Sequence, residues 1–167
     1  MTLILEGLAW VFGSWHAAIL VILAGALVFW KLGKIEALLL AASGIISLIS
    51  EGLKVLIARP RPTADQVNIL MHESNFSFPS SHAFFACLFL GSLIFILIHR
   101  IDRSAWRSFL ITILIILTLL VGFSRIYLGV HWYSDVIAGY IFGGFFLTFL
   151  ITSYRILEKR GGLRQRN

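Results

Sequence analysis

Three short stretches of this 167-residue chain combine cationic, hydroxyl, imidazole and carboxylate side chains at spacings that suit anion chemistry. The first runs from Lys54 to Pro62 and carries Lys54, Arg59 and Arg61 around two prolines. Pro60 and Pro62 lack amide donors and disfavour helix in the residue before each, so a helix bearing Lys54 is predicted to end near Ala58. Arg61 then leaves on an extended segment, and Lys54 and Arg61 can converge on one anion from two directions. The planar fork of arginine suits bidentate contact with phosphate oxygens. Two cations snorkelling to a membrane interface are the plainer alternative.

The second stretch is Pro79-Ser80-Ser81-His82. Proline suits the first turn of a helix, and the free amides of that turn, with two serine hydroxyls, offer an anion site. Ordinary helix capping by Ser80 or Ser81 would account for the same residues. The third stretch runs Ser124-Arg125 and then His131 to Asp135. Residues four apart share a helix face, and a carboxylate beside an imidazole fixes its tautomer and stabilises the imidazolium, as a histidine nucleophile or base requires. A purely structural His–Asp pair would look the same in isolation.

The elements that must position these groups are apolar helices. The chain is 59% hydrophobic and 13% charged, with its apolar residues in long blocks. A soluble domain is nearer half apolar and a quarter charged, so a bilayer protein is expected. Five spans are predicted, at Ser14–Trp30, Glu36–Ile57, Ser81–Ile98, Trp106–Ser124 and Ser134–Tyr154. Leu3–Phe12 is too short to cross and reads as an interfacial helix or the remnant of an earlier one. Glu6 and the lack of a basic leader argue against a cleavable signal peptide. Cys87, the single cysteine, cannot form an intrachain disulfide.

Alternating spans place Lys31, Lys34, Arg100, Arg103, Arg107, Arg155, Lys159, Arg160, Arg164 and Arg166 on one side. The positive-inside bias makes that side, and the C-terminus, cytoplasmic. Lys54, Arg59, Arg61 and Arg125 fall at the opposite, outer side, where that bias gives them no reason to be. The net charge of +6 is thus read as membrane topology plus an anion site, with no nucleic-acid partner. Ionisable groups next to hydrocarbon are costly and functional by default, and here three segments bring them to one side.

At these residues the sequence resembles the type 2 phosphatidic acid phosphatase (PAP2) superfamily. Its motifs are a Lys, six residues and Arg-Pro; Pro-Ser-Gly-His; and Ser-Arg, five residues, His, three residues and Asp. They match Lys54 to Arg61-Pro62, Pro79 to His82, and Ser124-Arg125 to His131 and Asp135, across about half the chain. The resemblance implies an all-α polytopic transmembrane bundle of about five or six spans, forming a single domain over residues 1–167. It further implies a metal- and cofactor-independent phosphatase working through a phosphohistidine. His131 would be the nucleophile, Asp135 its partner and His82 the acid and base, with Lys54, Arg61, Ser80, Ser81 and Arg125 holding phosphate. The pattern departs at Ser81, where the family has glycine. That matters only if a positive φ is required there. The family's bacterial members usually have six spans, against five strong ones here.

The expected partner is a lipid phosphate drawn from surrounding membrane lipids, in a cell membrane with the site facing outside. Phosphatidylglycerolphosphate, phosphatidic acid or a similar phosphomonoester is favoured, and undecaprenyl pyrophosphate is the alternative. A catalytically inactive anion-binding membrane protein is less favoured, because anion binding alone needs no His82, His131 or Asp135. A metal centre is disfavoured by the cations sharing the site. Three secondary expectations complete the reading. Thr63–Gln66 resembles a capping box opening a short amphipathic helix with Val67, Leu70 and Met71 toward lipid. Gly139, Gly143 and Gly144 permit close helix packing. His16, His99, Tyr127, Trp132 and Tyr133 lie at interfaces.

Overall fold

The computed structural model describes residues 1–164, with side chains to residue 160. Arg166 and the side chain of Arg164, both assigned to the cytoplasmic tail, lie outside the described residues. The described chain is all helical: α1 (Thr2–Val11), α2 (Ser14–Lys31), α3 (Lys34–Ser47), α4 (Ile49–Ile57), α5 (Ser81–Arg100), α6 (Ala105–Tyr127) and α7 (Tyr133–Arg164). Five segments are long and apolar enough to cross a membrane, at Ser14–Lys31, Lys34–Ile57, Ser81–Arg100, Ala105–Tyr127 and Tyr133–Arg160. They agree with the five predicted spans within a few residues, except that the last runs beyond Tyr154.

The second span is not the continuous helix predicted from Glu36 to Ile57. It breaks at Leu48 into α3 and α4. Three serine hydroxyls bond back to carbonyls three residues earlier around the break: Ser43 to Leu40 (2.7 Å), Ser47 to Gly44 (2.6 Å) and Ser50 to Ser47 (2.7 Å). Hydroxyls that compete in this way for helix carbonyls bend helices. Leu48 itself keeps right-handed helical dihedrals (φ -64°, ψ -19°), so the interruption is local and α4 carries Glu51 and Lys54 on as the last part of the same span.

α5 is the most buried span and packs against α7, α6 and α3. Its seam with α7 depends on absent side chains. A Cβ on Gly139 would lie 2.7 Å from the Ser80 carbonyl oxygen, and one on Gly143 would lie 2.7 Å from the Cys87 Cβ. These two glycines therefore serve the predicted close packing. Gly144 does not, since a Cβ there meets nothing within 4 Å.

The core between these helices is largely phenylalanine and leucine, including Phe84, Phe85, Leu88, Phe89 and Leu40. Each such side chain, once buried, contributes about 1.5–3 kcal/mol relative to exposure in water. In lipid that gain is smaller, and tight packing carries more of the stability. The outward faces of α2 and α6 remain apolar and exposed, among them Ile22, Leu23, Phe29, Ile116 and Leu119, as a lipid-facing surface requires.

α1 does not cross. It packs along the C-terminal end of α6, where the Thr2 hydroxyl meets that of Tyr127 at 3.2 Å and Ala9 is buried against Leu128 and Val130. The predicted amphipathic helix after Thr63 does not form. Gln66 Oε1 accepts from both the Thr63 amide (3.1 Å) and the Thr63 hydroxyl (2.7 Å), but the result is one turn. The segment is pulled away from helix by tertiary bonds, with the Leu70 and Met71 amides both donating to the Leu128 carbonyl. Met71 consequently packs against the Ala9–Leu128–Val130 cluster instead of facing lipid.

Candidate active site

α4 ends where the proline rule places it. Ala58 adopts a left-handed conformation (φ 49°, ψ 35°) and its amide caps the Lys54 carbonyl at 2.8 Å. Arg59 and Arg61 then leave on non-helical chain and both reach the turn between α6 and α7. Arg59 Nη1 donates to the Ser134 hydroxyl (2.7 Å) and to Asp135 Oδ1 (2.6 Å). Arg61 Nη1 donates to the Val130 carbonyl (2.5 Å) and stands 3.3 Å from His131 Nε2.

His131 and Asp135 are both buried, and Asp135 Oδ2 lies 3.5 Å from His131 Nδ1. Asp135 also accepts from the Ser77 hydroxyl, from the Trp132 amide (2.9 Å) and from Arg59. With so many donors the carboxylate stays ionised and fixed in place. The neighbours assign the imidazole tautomer. Nδ1 carries the proton toward Asp135, and the Nε2 lone pair faces Arg61. Burial lowers the pKa of His131, the Asp135 bond works against that, and Arg61 and Arg125 reinforce it. The net shift is downward, so the ring is neutral at neutral pH, with its Nε2 lone pair toward Arg61.

His82 lies in the first turn of α5, whose N-cap is Ser80. Ser80 is fully buried, its hydroxyl accepts from the Ala83 amide at 3.5 Å and its amide donates to the Asp135 carbonyl at 3.0 Å. Its hydroxyl thus has the capping role that the sequence allowed as an alternative. Ser81 takes an ordinary helical conformation, Ala58 being the one non-glycine residue with positive φ among the described residues. The glycine-to-serine departure therefore meets no backbone obstacle. The Ser81 hydroxyl donates to Glu51 Oε1 at 2.5 Å, and the same oxygen lies 3.3 Å from Lys54 Nζ. His82 Nε2 lies 3.1 Å from the Ala9 carbonyl oxygen, so α1 holds the ring.

Arg125, at the end of α6, is fully buried and pairs with Glu73 through Nη2, while its Nε has no partner among the described residues. Glu73 reaches Arg61 Nη2 with its other oxygen, at 2.7 Å. Burial would raise the Glu73 pKa, but Arg125, His82 and Arg61 outweigh it and hold the carboxyl below its ordinary value.

A cavity of about 840 Å³ joins these groups. Glu51, Lys54, Glu73, Ser81, His82 and Arg125 line its polar end, and the apolar wall continues between α2 and α3 past Ala17, Val21, Ala41 and Ile45. Lys54, Ser81, His82 and Arg125 thus line one cavity directly. Arg61, His131 and Asp135 join it through hydrogen bonds and ion pairs.

Five contributors were given no site role from the sequence. Glu51 was legible, since it lies three residues before Lys54 on one helix. Arg59 sits inside a motif already noted. Glu73, Ser77 and Asn75 occupy the irregular chain between α4 and α5 and carry no periodic signal. Trp132, expected at an interface, donates from Nε1 to the Pro60 carbonyl at 3.0 Å, pinning the Arg59–Arg61 segment.

This arrangement has relatives. Residues 35–159 match the family model for the PAP2 superfamily. Phosphatidylglycerophosphatase B of Bacillus subtilis (strain 168) is 34% identical over 148 residues, covering 88% of this chain and 71% of the relative. Undecaprenyl-diphosphatase of Sulfolobus acidocaldarius is 30% identical over 138 residues, covering 80% and 63%. The crystal structure of a transmembrane PAP2-type phosphatidylglycerolphosphate phosphatase from Bacillus subtilis superposes with a TM-score of 0.75 at 30% identity, covering 95% of this chain and 77% of that one. With its five apolar spans and motif residues gathered at one end, the chain is a multi-pass membrane protein that belongs to the PAP2 superfamily.

Proposed function

We propose that this protein is a lipid-phosphate phosphatase acting through a phosphohistidine. The observation that carries the reading is His131 Nε2 standing 3.3 Å from Arg61, which Glu73 links to Arg125 at the polar end of an apolar-walled cavity. Cations at the polar end suit a phosphate, and apolar walls between α2 and α3 suit a chain that remains in the bilayer.

The Nε2 lone pair of His131 attacks phosphorus, a P–N bond forms, and the bond to the leaving oxygen breaks. Asp135 stabilises the resulting imidazolium. His82 supplies a proton to the leaving oxygen and then takes one from the water that cleaves the P–N bond, releasing inorganic phosphate. For this its Nε2 must exchange the Ala9 carbonyl for the substrate. Lys54, Arg61 and Arg125 balance charge on the equatorial oxygens, with the hydroxyl of Ser81 and the first-turn amides of α5 adding donors.

Phosphatidylglycerolphosphate or a similar phosphomonoester is the favoured substrate, supported by the similarity to the Bacillus enzymes. The similarity to an undecaprenyl-diphosphatase supports a pyrophosphate lipid as the second reading. Phosphate release from purified protein, offered phosphatidylglycerolphosphate, phosphatidic acid and undecaprenyl pyrophosphate in parallel, ranks them. No release from any of the three would refute the reading.

The site is assigned to the outer face of the cell membrane. This is supported by Lys31, Lys34, Arg100, Arg103, Arg107, Arg155 and Lys159 at the opposite end of the spans. A cysteine placed at Thr63 should react with an impermeant thiol reagent on intact cells. Reaction only after permeabilisation would reverse the sidedness.

A further inference from the structure

We infer that Glu73 is an internal counter-anion for Arg61 and Arg125 which the substrate's phosphoryl group displaces, so that binding at this site is an exchange of anions. The inference rests on the phosphatase reading and concerns how that site discriminates among ligands.

Glu73 spans the two guanidiniums with one carboxylate oxygen on each, Oε1 toward Arg125 and Oε2 toward Arg61. Two oxygens on one centre is also how a phosphoryl group would bridge them. The positions therefore compete. Carboxylate and phosphate are both anions, and like charges at such separations disfavour each other's ionised forms. Neither can leave the arginines bare at low cost, because Arg125 is fully buried and a buried cation without a partner is strongly destabilising. The pocket thus has two charge-balanced arrangements, one with Glu73 and one with a phosphoryl group.

The surroundings of Glu73 favour such an exchange. It lies on chain without helix or strand, between the Met71 amide, tied to the Leu128 carbonyl, and the Ser77 amide, tied to the Arg59 carbonyl at 2.9 Å. Between those two ties the segment is held by Arg61 itself, from Nε to the Asn75 carbonyl (2.7 Å) and from Nη2 to the Phe76 carbonyl (3.2 Å). Releasing the Glu73 side chain breaks no backbone ladder. Its carboxylate also lines the cavity together with His82 and Lys54 and is about a quarter exposed, so an exit path exists. Glu51 differs. It sits on α4, three residues from Lys54, and its bonds to Lys54 and Ser81 lie at the other edge of the cavity.

The consequence for function is selectivity by charge. A ligand must bring enough negative charge to outcompete a tethered carboxylate, which penalises neutral and singly charged headgroups. The return of Glu73 also speeds release of inorganic phosphate.

The test uses the purified full-length chain in detergent, with inorganic phosphate and orthovanadate titrated calorimetrically. Glu73→Gln keeps the size of the side chain and removes its charge. Binding of both anions should tighten about 10-fold or more, and inhibition of lipid-phosphate hydrolysis by inorganic phosphate should deepen in parallel. Unchanged or weaker binding overturns the inference, because a merely structural glutamate would loosen the site when altered. Should that variant not fold, Glu73→Asp carries the test. It keeps the charge but is one methylene too short to bridge both arginines, so tightening is again expected and weakening overturns the idea. Wild-type protein that binds phosphate but hydrolyses no lipid phosphate would sink the phosphatase reading alone. Active wild type with no tightening in either variant would sink the exchange alone.

Discussion

Both ends of this bundle pair a glutamate with arginine, and the two clusters are built differently. At the end bearing Lys31, Glu36 of α3 is buried, pairs with Arg100 of α5 through both Nε (2.6 Å) and Nη2, and accepts from the Tyr154 hydroxyl of α7 at 2.6 Å. Every partner is a side chain on a helix, and His99 with Glu158 closes the outside of the cluster at 2.9 Å. At the other end, Glu73 comes from irregular chain, Arg125 Nε has no partner among the described residues, and a cavity opens beside the pair. The first cluster is complete as it stands and ties three helices. The second has cationic donors to spare, which is what a site for an incoming anion needs. An ion pair alone therefore does not mark a functional site. The unspent donors and adjoining space do.

The largest expected effect isolates the chemical end. Replacing His131 with alanine should lower phosphate release by about 10³-fold or more, as for other nucleophile deletions. Thermal stability should remain close to wild type. Retained release would remove His131 as the nucleophile.

Arg125→Ala tests both stability and chemistry. It leaves Glu73 facing one arginine and should reduce release by about 10²–10³-fold, as loss of a group balancing transition-state charge does. At the other end, Glu36→Gln should destabilise by about 1–3 kcal/mol in chemical unfolding, through a weakened buried hydrogen-bond set, yet leave KM within about twofold. A large change in KM would erase the distinction between the ends.

The pH profile sharpens it further. As the proposed nucleophile His131 must be neutral, and its pKa lies below the ordinary histidine value through burial, with Arg61 and Arg125 adding to the shift. The kcat/KM should stay level as pH falls through the usual histidine range and drop only below it. Asp135→Asn removes the bond that opposes this shift, so its acid limb should move lower still, with reduced activity throughout. The smallest expected effect is none. Excess EDTA should leave release unchanged, whereas loss restored by Mg²⁺ or Zn²⁺ would contradict a histidine-based mechanism.

Much of this was legible in the residues. The prolines at 60 and 62 placed the end of α4, apolar block length placed all five spans, and alternation brought three motifs to one end. Local rules failed where distant bonds decided the outcome. Thr63–Gln66 makes one of the two capping-box bonds, from the Thr63 amide to Gln66 Oε1, but yields a single turn, because Leu128 takes the next amides. The break at Leu48 needed the serine hydroxyls to choose backbone acceptors over solvent or lipid. Glu73 and Ser77 were silent because irregular chain carries no period, and their bonds to Arg125 and Asp135 each span more than 50 residues. The contact between α1 and His82 runs through a backbone carbonyl, which no side-chain pattern encodes.

Ala58 shows how much direction one residue can impart. Successive helical residues turn by about 100°, so on a prolonged α4 the side chains at 59 and 61 would point about 200° apart, one of them into lipid. The left-handed step at Ala58, which costs an alanine about 1–2 kcal/mol, instead lets both guanidiniums address residues 130–135. A modest local penalty thereby aims two neighbouring forks at the same target.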